Sequence, residues 1–108
     1  MDFIITGSRA YGPAKEDSDL DIVVKLCDIK SITNYLLDHN IQMYSTPGQD
    51  SYAEEGGFYF NLAGIKINII VAVSGADFRL WERRTVIMKK TVPIEDREKR
   101  LATFNSIT

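Results

Sequence analysis

The sequence predicts an α+β protein: a small mixed or antiparallel sheet with helices packed mainly on one face. Three observations carry this. Apolar stretches with strand alternation occupy residues 2–6 and 20–26, ahead of any long helical pattern. Phe58–Leu62 and residues 65–73 flank Ala63-Gly64, a two-residue link suited to a tight antiparallel hairpin. Beyond residue 74 the apolar residues recur only at helical spacing.

The elements follow in order. A first strand over residues 2–6 stops at Gly7-Ser8. Residues 9–18, rich in glycine, proline and charge, read as a loop with room for one helical turn. The second strand covers residues 20–26. Asp28 or Ser31 can then cap a helix running to about His39, with Ile29, Ile32, Tyr35 and Leu36 on one stripe. Residues 41–45 read as a short strand, and 46–57 as a polar, mobile loop. After the hairpin, Ser74 and Asp77 resemble a capping box for a helix over 78–90, whose Phe78, Trp81, Thr85 and Met88 share a face. Pro93 interrupts the chain before a last helix from about Glu95, burying Leu101, Phe104 and Ile107. With 108 residues the chain fits one minimal domain, a sheet core over 1–75 and two helices over 76–108.

Composition excludes several classes. The chain is 44% hydrophobic and 26% charged, the balance of a globular protein rather than a disordered one. Its longest apolar run, residues 69–73, falls far short of the roughly 20 residues that span a bilayer. The first residues lack the basic and long apolar regions of a signal peptide. Cys27 is the lone cysteine, set in a hydrophobic strand pattern and expected to pack as a small hydrophobe, so no intrachain disulfide can form. These features lead to an expectation of cytoplasmic residence, with no membrane partner. Charge is uneven: residues 1–78 hold five cations against eleven acids, and residues 79–108 hold eight cations against four acids. Such a distribution suits carboxylates gathered at a metal and cations offered to an anionic partner, or simply two solvated amphipathic helices.

The chemistry concentrates in residues 4–24, IITGSRAYGPAKEDSDLDIVV. Strand alternation puts Asp19, Asp21 and Val23 on one face and Leu20, Ile22 and Val24 on the other. Carboxylates two residues apart on a strand lie roughly 6–7 Å apart and can converge on one hard cation, Mg²⁺ or Mn²⁺. Gly7 lets the backbone approach a ligand closely, Ser8 can bond phosphate oxygens, and Arg9 is placed to grip a triphosphate.

A hydrophobic strand, GSRAYG, about ten residues and then SDLDI resembles the signature of the nucleotidyltransferase superfamily of DNA-polymerase-β type. The hairpin and the tail WERRTVIMKKTVPIEDREKRLATF look like small nucleotidyltransferases of bacteriophages, for which the cytoplasm would be the host's. The resemblance spans most of the chain, though only residues 5–22 carry a motif of high specificity. It implies a polymerase-β palm-like core and two-metal transfer of a nucleoside monophosphate from a triphosphate to an acceptor hydroxyl on RNA, protein or a small molecule. Asp19 and Asp21 would hold Mg²⁺, and Gly7, Ser8 and Arg9 would position phosphates.

One position departs from that pattern. The superfamily places a third carboxylate in a later strand, and here the matching run IKINII puts Asn68 there. An amide can give one oxygen ligand but cannot accept a proton or balance a second cation. Asp50, Glu54, Glu55 or Asp77 could substitute only if the fold brings one in. Two expectations follow: an active enzyme, or an impaired relative that binds or sequesters nucleotide or a partner protein. Trp81 with Arg83, Arg84, Lys89 and Lys90 could stack on nucleic acid, although an anchor on the sheet is the favoured role of Trp81. His39 is expected to be solvated at a helix end, and no Cys/His spacing suits zinc. With no large helical domain to hold an acceptor, the tail helices, a second copy of the chain or a separate partner would recognise it.

Overall fold

The strand β1 (Phe3–Thr6) turns at Gly7 into a single helical turn, α1 (Ser8–Tyr11), in a computed structural model that describes residues 1–45, 57–91 and 93–108. Then come β2 (Leu20–Lys25), a 3₁₀ turn (Leu26–Asp28), α2 (Ile29–Asp38), β3 (Tyr44–Ser45), β4 (Phe58–Leu62), β5 (Ile65–Ala72), α3 (Gly75–Lys89) and α4 (Arg97–Ser106). The described strands form one mixed sheet in the order β1-β2-β5-β4-β3. Only β2 and β5 run parallel, with α2 inside their long crossover. The α+β class is therefore as expected.

The expectation that helices lie mainly on one face needs a qualification: both faces are covered. On the first, Val23, Ile70 and Ala72 pack with Tyr11 of α1, Phe78, Trp81 and Met88 of α3 and Phe104 of α4. On the second, Val24, Phe60, Ile67 and Ile69 pack with Leu36 of α2, joined by Ile29, Ile32, Ile41 and Met43. Successive residues of β2 thus enter different cores, so Val23 and Val24 are both buried. Central strands covered twice lose the polar alternation of a half-solvated sheet.

Local chemistry explains most boundaries. In the β4–β5 hairpin both linking residues have positive φ, Ala63 at 52° and Gly64 at 79°, the backbone that matches the twist of antiparallel strands. Ser74 caps α3 by accepting from the Asp77 amide at 3.1 Å, and the Asp77 carboxylate accepts from the Val73 amide at 3.3 Å. α4 starts two residues later than expected because Asp96 is its cap, accepting from the amides of Glu98 and Lys99. The strand expected over 41–45 is reduced to β3, since Ile41 and Met43 are drawn to the α2 core. Cys27 is exposed in the 3₁₀ turn rather than packed in β2, because β2 ends at Lys25. Among the described residues, no helix is long and apolar enough to cross a membrane.

The tail contributes to the core. Trp81 is 6% exposed and its ring lies 5.3 Å from that of Phe104. Arg84 donates to the carbonyls of Ile107 and Asn105, and Arg83 to that of Thr108, so these cations latch the end of α4 onto α3.

Candidate functional site

Register brings the distant motifs together. Thr6 pairs with Asp21, Asp21 with Asn68, and Asn68 with Tyr59, so four side chains form a row across β1, β2, β5 and β4 on the face of α3 and α4. Helices cover one end of this row. Thr6 is fully buried and its hydroxyl lies 2.8 Å from that of Thr85 of α3. Since Thr85 donates to the Trp81 carbonyl, Thr6 is the donor of that pair. Asp21 and Asn68, in the middle of the row, open into a cavity of about 140 Å³ lined also by Ser8, Ser18, Asp19, Arg97, Arg100 and Leu101.

Within it Asp19 and Asp21 converge on a single atom. Asn68 Nδ2 donates to Asp21 Oδ1 at 2.9 Å and to Asp19 Oδ2 at 3.2 Å. Lys66 Nζ stands 3.8 Å from Asp19 Oδ2 and 4.4 Å from the centre of the Tyr59 ring. Half-exposed, that ion pair is worth little. Asn68 Oδ1, by contrast, is buried and has no hydrogen-bond partner among the described residues.

Gly7 is required by both backbone and space. Its φ of 74° and ψ of −164° lie in a region essentially reserved for glycine, and a Cβ there would overlap the Asp21 carboxylate. Gly7 thus lets the turn into Ser8 pass directly beside Asp21.

The structure gathers Gly7, Ser8, Asp19, Asp21 and Asn68 but places Arg9 differently. Arg9 Nε donates to the Ser18 carbonyl at 2.7 Å and Nη2 to the Glu16 carbonyl at 3.0 Å, so its guanidinium is engaged with the loop ahead of Asp19. It is absent from the cavity lining. The cations that do line the cavity, Arg97 and Arg100 of α4, were missed. Helical spacing could have found them: Arg97 and Arg100 stand four residues ahead of Leu101 and Phe104 on the same inward stripe. Arg100 is steadied through Nη1, which donates to the Ile94 carbonyl at 3.0 Å.

Of the acids considered as a third carboxylate, Asp77 accepts from the Val73 amide at the start of α3, while Asp50, Glu54 and Glu55 lie outside the described residues, as does Tyr52. His39 is exposed, stacked on Tyr35, with Nδ1 2.8 Å from the Tyr35 carbonyl. Among the described residues no group of three or more His, Cys, Asp or Glu side chains comes together. The hard oxygen donors that meet in the cavity are the carboxylates of Asp19 and Asp21, toward which Asn68 turns its amide nitrogen rather than its oxygen. Compared with known proteins, the chain matches no family model and no curated relative.

Proposed function

We propose that the chain binds a nucleoside triphosphate with a divalent cation at Asp19 and Asp21, and transfers the nucleoside monophosphate to an acceptor hydroxyl. The observation that supports this most is the meeting of the two carboxylates beside a glycine that leaves no room for a side chain, with Ser8 on the same cavity. The motif resemblance to nucleotidyltransferases supplies the reaction type.

In this reading Asp19 and Asp21 hold the cation, Mg²⁺ or Mn²⁺, which when bound would neutralise phosphate charge and polarise the α-phosphorus. Ser8 offers a hydroxyl to phosphate oxygens. Arg97 and Arg100, which line the same cavity, take the part first assigned to Arg9 and grip the outgoing pyrophosphate. Arg9 holds the loop that aims Asp19. RNA, a protein or a small molecule can serve as acceptor, and a second copy of the chain or another protein can help present it.

A second reading has its own observation. With Asn68 where a third carboxylate would stand, no described side chain in the cavity can take the proton of an attacking hydroxyl except Asp19 and Asp21 themselves. The protein would then bind nucleotide without turnover, to sequester it or to engage a partner.

Incubation with each labelled nucleoside triphosphate, Mg²⁺ or Mn²⁺ and candidate acceptors separates the two. Nucleotidyl transfer by wild type supports the enzyme. Binding without transfer, with transfer gained in Asn68→Asp, supports the second reading. Asp19→Asn should weaken triphosphate binding by at least about 100-fold, because even groups supporting a metal ligand contribute about 10–100-fold. Wild type that binds no triphosphate in the presence of either cation sinks both readings.

A further inference from the structure

We propose that Asn68 is a two-position group: its amide nitrogen caps the carboxylate pair in the cation-free protein, and its amide oxygen becomes a ligand when a divalent cation enters. The inference rests on the cation site proposed above, and it deepens that reading.

Two carboxylates aimed at one point repel each other and need a neutraliser. Asn68 Nδ2 eases that repulsion by donating to Asp19 and Asp21 together, with the Lys66 ammonium 3.8 Å from Asp19. The arrangement leaves its oxygen buried and unbonded among the described residues. An amide that satisfies its nitrogen and orphans its oxygen is held by the two anions it faces. Rotation by about 180° about Cβ–Cγ exchanges oxygen and nitrogen with little change of shape. Facing two carboxylates with no cation between them, the rotated oxygen would be repelled. With a cation there, the preference inverts: the N–H₂ group is repelled and the oxygen completes the shell. Capping amide and bound cation are mutually exclusive, so cation affinity is lowered by the work of displacing the amide. An aspartate at this position cannot cap in this way, and without metal it adds a third negative charge to the cluster.

Nitrogen-15 spectra of the wild-type chain test this, with Mg²⁺ and then Mn²⁺ titrated to saturating millimolar levels, with and without a non-hydrolysable triphosphate. The Asn68 side-chain signals are identified by their loss in Asn68→Asp. Without metal, the Asn68 N–H₂ protons should exchange slowly with water; Mg²⁺ should shift them and remove the protection. Mn²⁺ should broaden the backbone signals of Gly7, Asp19 and Asp21. If Mn²⁺ broadens those signals while Mg²⁺ leaves the Asn68 amide unmoved, the two-position role is wrong and the cation site stands. If Mn²⁺ broadens none of them, the cation site and the inference fall together. Asn68→Asp should bind Mn²⁺ at least about tenfold tighter than wild type. It should also melt below wild type without metal and recover with Mg²⁺. Equal melting of the two proteins without metal would overturn the capping role.

Discussion

The two faces of the sheet are built from the same three central strands, yet they differ in what they can do. Under α2 the face is apolar throughout, with Val24, Ile67, Ile69 and Phe60 closing on Leu36. Under α3 and α4 the face is divided: Val23, Ile70 and Ala72 are sealed by Trp81, Met88 and Phe104, while Asp21 and Asn68 stay outside that seal. The apolar face under α2 stabilises at its centre, while Phe3, Ile5, Leu62 and Ile65 at its margins stay exposed. Covering that stops partway leaves a polar row at the edge of a rigid core, where charged side chains are half-buried and held.

Substitutions can break or sharpen this contrast. Phe104→Ala removes a side chain that is 1% exposed and should cost about 3–5 kcal/mol in urea unfolding; Leu36→Ala on the other face should cost about 2–5 kcal/mol. Only the first should disturb nucleotide binding, since α4 carries Arg97 and Arg100. Comparable loss of binding in Leu36→Ala would show that the faces are not separable. Gly7→Ala should lose about 1–3 kcal/mol from its backbone conformation alone and abolish nucleotide binding, because the new methyl group displaces the Asp21 carboxylate. Calorimetric titration of a folded Gly7→Ala that still binds nucleotide as wild type does would contradict the placement of the site.

Smaller effects test the seam between the sealed and open parts. Thr85→Val removes the acceptor of the buried Thr6 hydroxyl and should cost about 1–3 kcal/mol. Thr6→Val should cost less, about 1 kcal/mol, because Thr85 keeps its bond to the Trp81 carbonyl. The reverse order in thermal unfolding would show that the proton lies on the other hydroxyl. Arg84→Ala, which loses contacts to Ile107 and Asn105, should cost about 1 kcal/mol and leave nucleotide binding unchanged.

Much of this was legible in the sequence because the informative signals are local. Alternation placed Asp19 with Asp21 and Asn68 opposite Ile67 and Ile69; helical spacing found Phe78, Trp81, Thr85 and Met88; the Ala63-Gly64 link fixed the hairpin. What was missed depends on contacts between distant segments. Whether Arg9 turns to a ligand or to its own loop is decided by where the Glu16 and Ser18 carbonyls fall. Helical spacing puts Arg97 and Arg100 on the inward stripe of α4, but that they share a cavity with Asp19 and Asp21 depends on how α4 docks. Coverage of both faces by helices was hidden because Val23 and Val24 look alike in a strand pattern, whichever side is solvated.

The parallel ladder between β2 and β5 has a last consequence. Asp21 and Asn68 stand 47 residues apart in the chain and become neighbours only when that ladder closes. No fragment holding one strand alone can assemble the cavity, and slippage of β5 by one residue would turn Asn68 into the α2 core. Occupancy is therefore coupled to cooperative unfolding of the sheet: a ligand at this cavity should raise the melting temperature of the whole chain, in proportion to the logarithm of its concentration.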